Sequence, residues 1–260
     1  MKIGVIGTGN IAQYLLESIN KNDKVDGEIV SIFGRNIEVG LRLESQYCAK
    51  FYTDFQEFIQ STIDVVVEAA TIEVAMEHME EVLANEKDMI LSSIGAFKDV
   101  EYLNKMKEVA RRNQQHIYLP SGAIGGLDLL QSANSLGGLK EVCITTRKSY
   151  QSLGLDVKCV EECIFDGVAL DAIKKFPKNV NVALLLSIAG LGADKTAVRV
   201  IADPNIQRNT HHIEAKGDFG KMNLLIENEP MPNNPKTSYL AALSIVSTLQ
   251  NRGNAITLGS

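Results

Sequence analysis

The sequence predicts an α/β chain in two parts: a doubly wound parallel sheet first, then a second α+β domain built on a mixed or antiparallel sheet. Three observations predict it. Short β-branched runs alternate with amphipathic stretches as far as residue 119, which is the pattern of a parallel sheet with helices on both faces. A glycine-rich turn, Gly7 to Ala12, joins the first run to the first amphipathic stretch. Beyond Pro120 the character changes, and Gly217-Asp218-Phe219-Gly220 separates two runs as a hairpin connection would.

In order along the chain, the first domain (1–119) takes strands at 2–6, 28–33, 64–68, 89–91 and 117–119. Between them Ile11, Leu15 and Ile19 recur at helical spacing, as do Val74, His78 and Val82, then Leu103, Met106 and Ala110. Pro120-Ser121-Gly122-Ala123-Ile124-Gly125-Gly126-Leu127 reads as a tight loop opening a helix. The second domain (120–236) takes strands at 141–147, 163–166, 197–202, 211–216 and 221–227. After Pro230, Pro232 and Pro235 a last helix is expected within 237–252, capped by Thr237 or Ser238 and returning to the first domain.

Composition narrows the function classes. The chain has 260 residues and a formal net charge of -6, so it lacks the basic surface that a phosphate-backbone binder needs. No nucleic-acid partner is expected. The most apolar run, 182–193, is too short to cross a bilayer, and residues 1–7 read as a strand rather than a leader. A cytoplasmic protein without a membrane partner is the expectation. Cys48, Cys143, Cys159 and Cys163 have no Cys-x-x-Cys spacing, which reads as reduced thiols and no metal centre.

The run Gly7-Thr8-Gly9-Asn10-Ile11-Ala12 fits G-x-G-x-x-A between a strand and a helix, the Rossmann dinucleotide fingerprint. Gly7 permits the turn, Gly9 lets backbone approach a pyrophosphate, and the helix opening at Asn10 and Ile11 offers N–H groups to the phosphates. An NAD-specific site usually has an acid at the end of the second strand. Here Phe33-Gly34-Arg35-Asn36 stands instead. Removing the carboxylate removes repulsion of a 2′-phosphate, and Arg35 is a planar cation for it, so NADP should be accepted besides NAD.

Together with that loop, four further segments resemble the L-aspartate dehydrogenase family: 120–128, Phe176-Pro177-Lys178-Asn179-Val180-Asn181-Val182-Ala183, Ala202-Asp203-Pro204 and Asn234-Pro235-Lys236-Thr237-Ser238. The resemblance runs in the same order over nearly the whole chain. It implies NAD(P)-dependent oxidation of L-aspartate through iminoaspartate to oxaloacetate and ammonia, and a homodimer. In some members iminoaspartate feeds NAD biosynthesis. The resemblance places Ala123 and Asn181 at the nicotinamide end of the cofactor and makes His211 the active-site residue. It also sets Ala70 and the small-residue turn at Ser93 beside the cofactor. Two departures stand out: no proline follows Lys148, and Glu68-Ala69-Ala70 lacks a cysteine.

Strand alternation supports His211 separately, because His211, Ile213 and Ala215 share one face while His212, Glu214 and Lys216 share the other. A histidine that titrates near neutrality can pass the protons of imine hydrolysis. Lys236 is a candidate partner for the substrate carboxylates, with Arg147 and Lys148 as others. Two alternatives stay open: a related NADP-dependent reductase acting on another small carboxylate or imine, and a non-catalytic dinucleotide-sensing module.

Overall fold

Strands β1 (Lys2–Ile6), β2 (Glu28–Phe33), β3 (Lys50–Tyr52), β4 (Val65–Glu68), β5 (Asp88–Leu91) and β6 (Ile117–Tyr118) form one parallel sheet in the order β3-β2-β1-β4-β5-β6. This is seen in a computed structural model that describes residues 1–176, 181–232 and 234–256, without the side chains of Pro235 and Lys236. Ile3, Val5, Val65 and Val67 are fully buried, as central strands covered on both faces require. The chain winds outward from β1 in both directions, so the switch point lies between β1 and β4. Strand β3 is absent from the sequence expectation: Lys50-Phe51-Tyr52 is too short to show a period.

The helices start where their caps allow. Asn36 accepts from the Val39 N–H at 3.1 Å and opens Ile37–Tyr47, while Asp99 accepts from the Glu101 N–H at 2.8 Å and opens Val100–Arg112. Each then buries one stripe, such as Met106, Val109 and Ala110.

A second sheet holds β7 (Leu139–Lys148), β8 (Glu162–Val168), β9 (Ala197–Ala202), β10 (Asn209–Gly217) and β11 (Gly220–Asn228) in the order β11-β10-β7-β9-β8. It is mixed, because β7 and β9 run parallel and the other pairs antiparallel. The β10/β11 hairpin closes through Asp218 and Phe219, between the paired Gly217 and Gly220. Helices Leu127–Asn134, Ala169–Lys175 and Asn181–Ala189 pack on this unit. A small antiparallel pair, β12 (Pro230–Met231) and β13 (Asn234–Ser238), precedes the last helix, Tyr239–Gly253. Thr237 therefore lies in a strand rather than at a helix cap, and its hydroxyl accepts from Asn234 Nδ2 at 2.9 Å.

By contacts the chain divides into two units, Met1–Pro120 with the segment that starts at Ala242, and Ser121–Ala241. Ile245, Val246 and Leu249 join the core of the first unit. The helix is also held by charge: Arg252 stacks 4.8 Å over the Tyr118 ring and stands 2.6 Å from Asp88, whose other oxygen accepts from the His116 N–H. No hydrogen-bond angle is met at Arg252 Nη1, so this is a charge contact rather than an aligned hydrogen bond. Because both side chains are less than one-fifth exposed, Arg252→Met should destabilise the first unit by about 1–3 kcal/mol in chemical denaturation. Adding Asp88→Asn should restore part of that loss, since it removes the stranded charge.

Candidate active site

The first unit gathers most of the expected cofactor residues along the carboxyl edge of its sheet. Gly7 adopts φ +121°, and a Cβ on it would stand 2.5 Å from the Ala69 carbonyl oxygen, so only glycine fits. Its N–H donates to the Phe33 carbonyl at 2.8 Å. A Cβ on Gly9 would meet nothing within 4 Å, which leaves bare backbone open to an incoming group. The helix that follows, Asn10–Leu16, has no side-chain cap and no acid in its first turn. A helix start of that kind suits an anion, and the cradle therefore fits a dinucleotide pyrophosphate. Gly34 packs close to Thr8, while Arg35 beside it is exposed.

Glu68 is a residue that the sequence reading did not place in the site. It ends β4 with no solvent exposure. Its carboxylate accepts from the Ala70 N–H (2.7 Å), the Ser93 N–H (2.8 Å) and the Ser93 hydroxyl (2.8 Å). Burial pushes its pKa up, against the hydrogen bonds that favour the charged form. The arrangement ties the loop after β4 to the loop after β5, which are the loops of Ala70 and Ser93. An acid closing the apolar run Val65-Val66-Val67 was the available signal.

In the second unit the buried face of the sheet changes character along its length. Val142, Ala215 and Met222 form one cross-strand row, and Ile144, Ile213 and Leu224 the next. Thr146, His211 and Ile226 follow, and beyond them stand Lys148 on β7 and the paired Asn209 and Asn228. The polar residues thus collect at one end of an otherwise apolar face. His211 is 2% exposed, with Nδ1 3.0 Å from the Thr146 hydroxyl. Arg147 points to the other face and pairs with Glu161 and Asp203, so its charge is committed away from His211. Lys148 is on the buried face, and burial lowers its pKa. The Ala123 carbonyl accepts from Asn228 Nδ2 at 3.0 Å, which sets the loop 121–126 against β11. Asn181 begins the helix Asn181–Ala189. The Lys236 side chain and residues 177–180 lie outside the described residues.

Burial, reinforced by the charge of Lys148, lowers the His211 pKa to about 3. The imidazole is therefore neutral at neutral pH, whereas the sequence argument valued it as a group titrating there. The neutral imidazole keeps a lone pair for accepting a proton, but as a weaker base than one poised near neutrality. The shift also has a thermodynamic sign: the unfolded chain binds a proton at the ordinary value near 6.5 and the folded chain does not. Stability is complete above pH 6.5 and falls as the pH drops toward 3. Between pH 7 and pH 5 the wild type should lose about 1–2 kcal/mol more than His211→Gln, read from urea midpoints.

Comparison with known proteins agrees with both halves. Residues 128–252 match the family profile described as aspartate dehydrogenase, C-terminal, and residues 7–120 match that of the homoserine dehydrogenase NAD-binding domain. The L-aspartate dehydrogenase of Archaeoglobus fulgidus is 39% identical over 251 residues, covering 96% of this chain and 97% of that one. That of Methanosarcina barkeri is 36% identical over the whole of both chains. Among solved structures, the aspartate dehydrogenase of Thermotoga maritima superimposes with a TM-score of 0.82 at 31% identity, covering 100% of this chain and 99% of that one. The scyllo-inositol dehydrogenase of Lactobacillus casei, at 12% identity and a TM-score of 0.58, covers 96% of this chain and 87% of its own and shares the fold alone. With full-length identity well above that level, and with both profiles in register with the two units, this chain belongs to the L-aspartate dehydrogenase family.

Proposed function

We propose that this protein oxidises L-aspartate with NAD or NADP, giving iminoaspartate and then oxaloacetate and ammonia. One observation carries the reading: in a chain matched end to end by L-aspartate dehydrogenases, neutral His211 and half-buried Lys148 share the polar end of a buried sheet face. Gly7, Gly9, Asn10 and Ile11 are assigned to the pyrophosphate, and Gly34 and Arg35 to the adenosine end. Ala70, Ser93, Ala123 and Asn181 are assigned to the rest of the cofactor. Bound there, the nicotinamide supplies the hydride acceptor for the aspartate Cα.

The protein's own groups account for the remaining chemistry. If Nδ1–H is donated to Thr146, His211 Nε2 carries the lone pair and takes a proton from the water that attacks Cα. The C=N electrons move to nitrogen, His211 returns its proton there, and ammonia departs as the carbinolamine loses its hydroxyl proton and the carbonyl forms. Lys148 and Lys236 are assigned to the substrate carboxylates, since a buried carboxylate needs a donor or cation beside it. A homodimer, a cytoplasmic setting and a supply of iminoaspartate to NAD biosynthesis complete the proposal.

The direct test follows reduced-cofactor formation with L-aspartate and other amino and hydroxy acids, using NAD and NADP. Oxidation of L-aspartate is expected, and activity confined to another substrate would sink the reading. His211→Ala should retain dinucleotide affinity and lose roughly 10²–10⁴-fold in kcat; near-normal turnover would remove His211 from the chemistry. Arg35→Ala should raise KM for NADP about tenfold and leave that for NAD unchanged.

A further inference from the structure

Asn228 closes β11 and is 4% exposed. Its Nδ2 donates to the Ala123 carbonyl oxygen at 3.0 Å. A carbonyl can only accept, so this contact sets the orientation of the amide, and Oδ1 faces elsewhere. Oδ1 is buried, and no donor among the described residues reaches it. Buried acceptors are nearly always paired, because an unmet one is destabilising. This one therefore calls for a donor beyond the described residues.

Its position says which donor. Asn228 pairs with Asn209, one inward row beyond Ile226 and His211, and Lys148 is the residue of that outer row on β7. Lys148 and Asn228 lie in one row with the β10 strand between them, roughly 9–10 Å apart at the backbone, a span that a dicarboxylic amino acid and the long lysine side chain bridge together. Lys148 donates and cannot accept, so it suits a carboxylate. Asn228 Oδ1 accepts and cannot donate, so a carboxylate does not suit it. The group of a dicarboxylic amino acid that donates hydrogen bonds is its amino group.

We infer that Asn228 Oδ1 receives the amino group of the substrate, which makes Asn228 a specificity-determining residue for amino acids over the corresponding acids without nitrogen. The inference rests on the functional reading above. Through Nδ2 the same side chain also holds the Ala123 loop, so loop position and amine recognition share one amide. A competing donor is a single water: a cavity of about 30 Å³, lined in part by Ser149, Arg208 and Asn228, adjoins it and has room for about one.

The test compares dissociation constants of L-aspartate and succinate by calorimetry, with saturating NADH so that nothing turns over. In the wild type L-aspartate should bind more tightly than succinate. Asn228→Leu should weaken L-aspartate by roughly ten- to a hundredfold, the value of a hydrogen bond to a charged group, and leave succinate unchanged. Asn228→Asp keeps an acceptor for the amino group but loses the Nδ2 donor to the Ala123 carbonyl, so it should retain the preference for L-aspartate while the loop contact is lost. NADH affinity within about twofold and an unaltered melting temperature would show that the loop and fold survive. Equal weakening of both ligands would make Asn228 a mere loop anchor, and no weakening of either would leave its partner a water; each overturns the inference. A wild type that oxidises L-aspartate while Asn228→Leu keeps the preference refutes this inference alone. A wild type that binds NADH but not L-aspartate refutes the functional reading with it.

Discussion

Everything at the carboxyl edge of the first sheet depends on β1 being followed by a residue without a side chain. With φ +121° and the Ala69 carbonyl 2.5 Å from where a Cβ would sit, Gly7 lets three strand exits converge. The Gly7 N–H reaches the Phe33 carbonyl at the end of β2, and the Ala69 N–H reaches the Ile6 carbonyl beside it. Once those exits are joined, the helix from Asn10 begins just after the turn, and its start, without a side-chain cap or a first-turn acid, suits an anion. Glu68 extends the same device sideways, because one buried carboxylate satisfies donors from the loops after β4 and β5. A larger residue at position 7 would separate the exits before any ligand arrived.

The second sheet works by register instead of by a turn. Its buried face is apolar through two rows and, apart from Ile226, polar through the next two, and the pairings of β7, β10 and β11 bring Thr146, Lys148, His211 and Asn228 to the same end. A slip of one residue on each strand would present Arg147, His212 and Glu227 there, since neighbours along a strand face opposite ways. Burial then sets the chemistry of the cluster. It leaves His211 uncharged at neutral pH and lowers the pKa of Lys148.

The first unit is completed by residues far along the chain. Ile245, Val246 and Leu249 fill its core, and Arg252 reaches Asp88 and Tyr118 at its β5/β6 edge. The sequence pattern led to the expectation of a last helix through the spacing of Leu240, Leu243 and Val246, but Leu243 is exposed and Ile245, Val246 and Leu249 make the core contact. It did not show that Thr237 would be taken into β13, because a strand of five residues containing a proline has no clear alternation.

What the sequence by itself determined is what local periodicity and backbone geometry dictate. The doubly wound sheet, the glycine turn after β1, the mixed second sheet with its β10/β11 hairpin and the inward face of His211 all follow from spacing of two or 3.6 residues and from where glycine is needed. The family resemblance lay in segments spread over both units. Only the tertiary structure decided which polar residues meet. Glu68 gains its role from Ser93, 25 residues away, and Asn228 from Ala123, 105 residues away. It also decided that His211 is neutral and that Arg147 faces away from it, because strand pairing and burial set neighbours and desolvation, and neither is written in the order of residues along one strand.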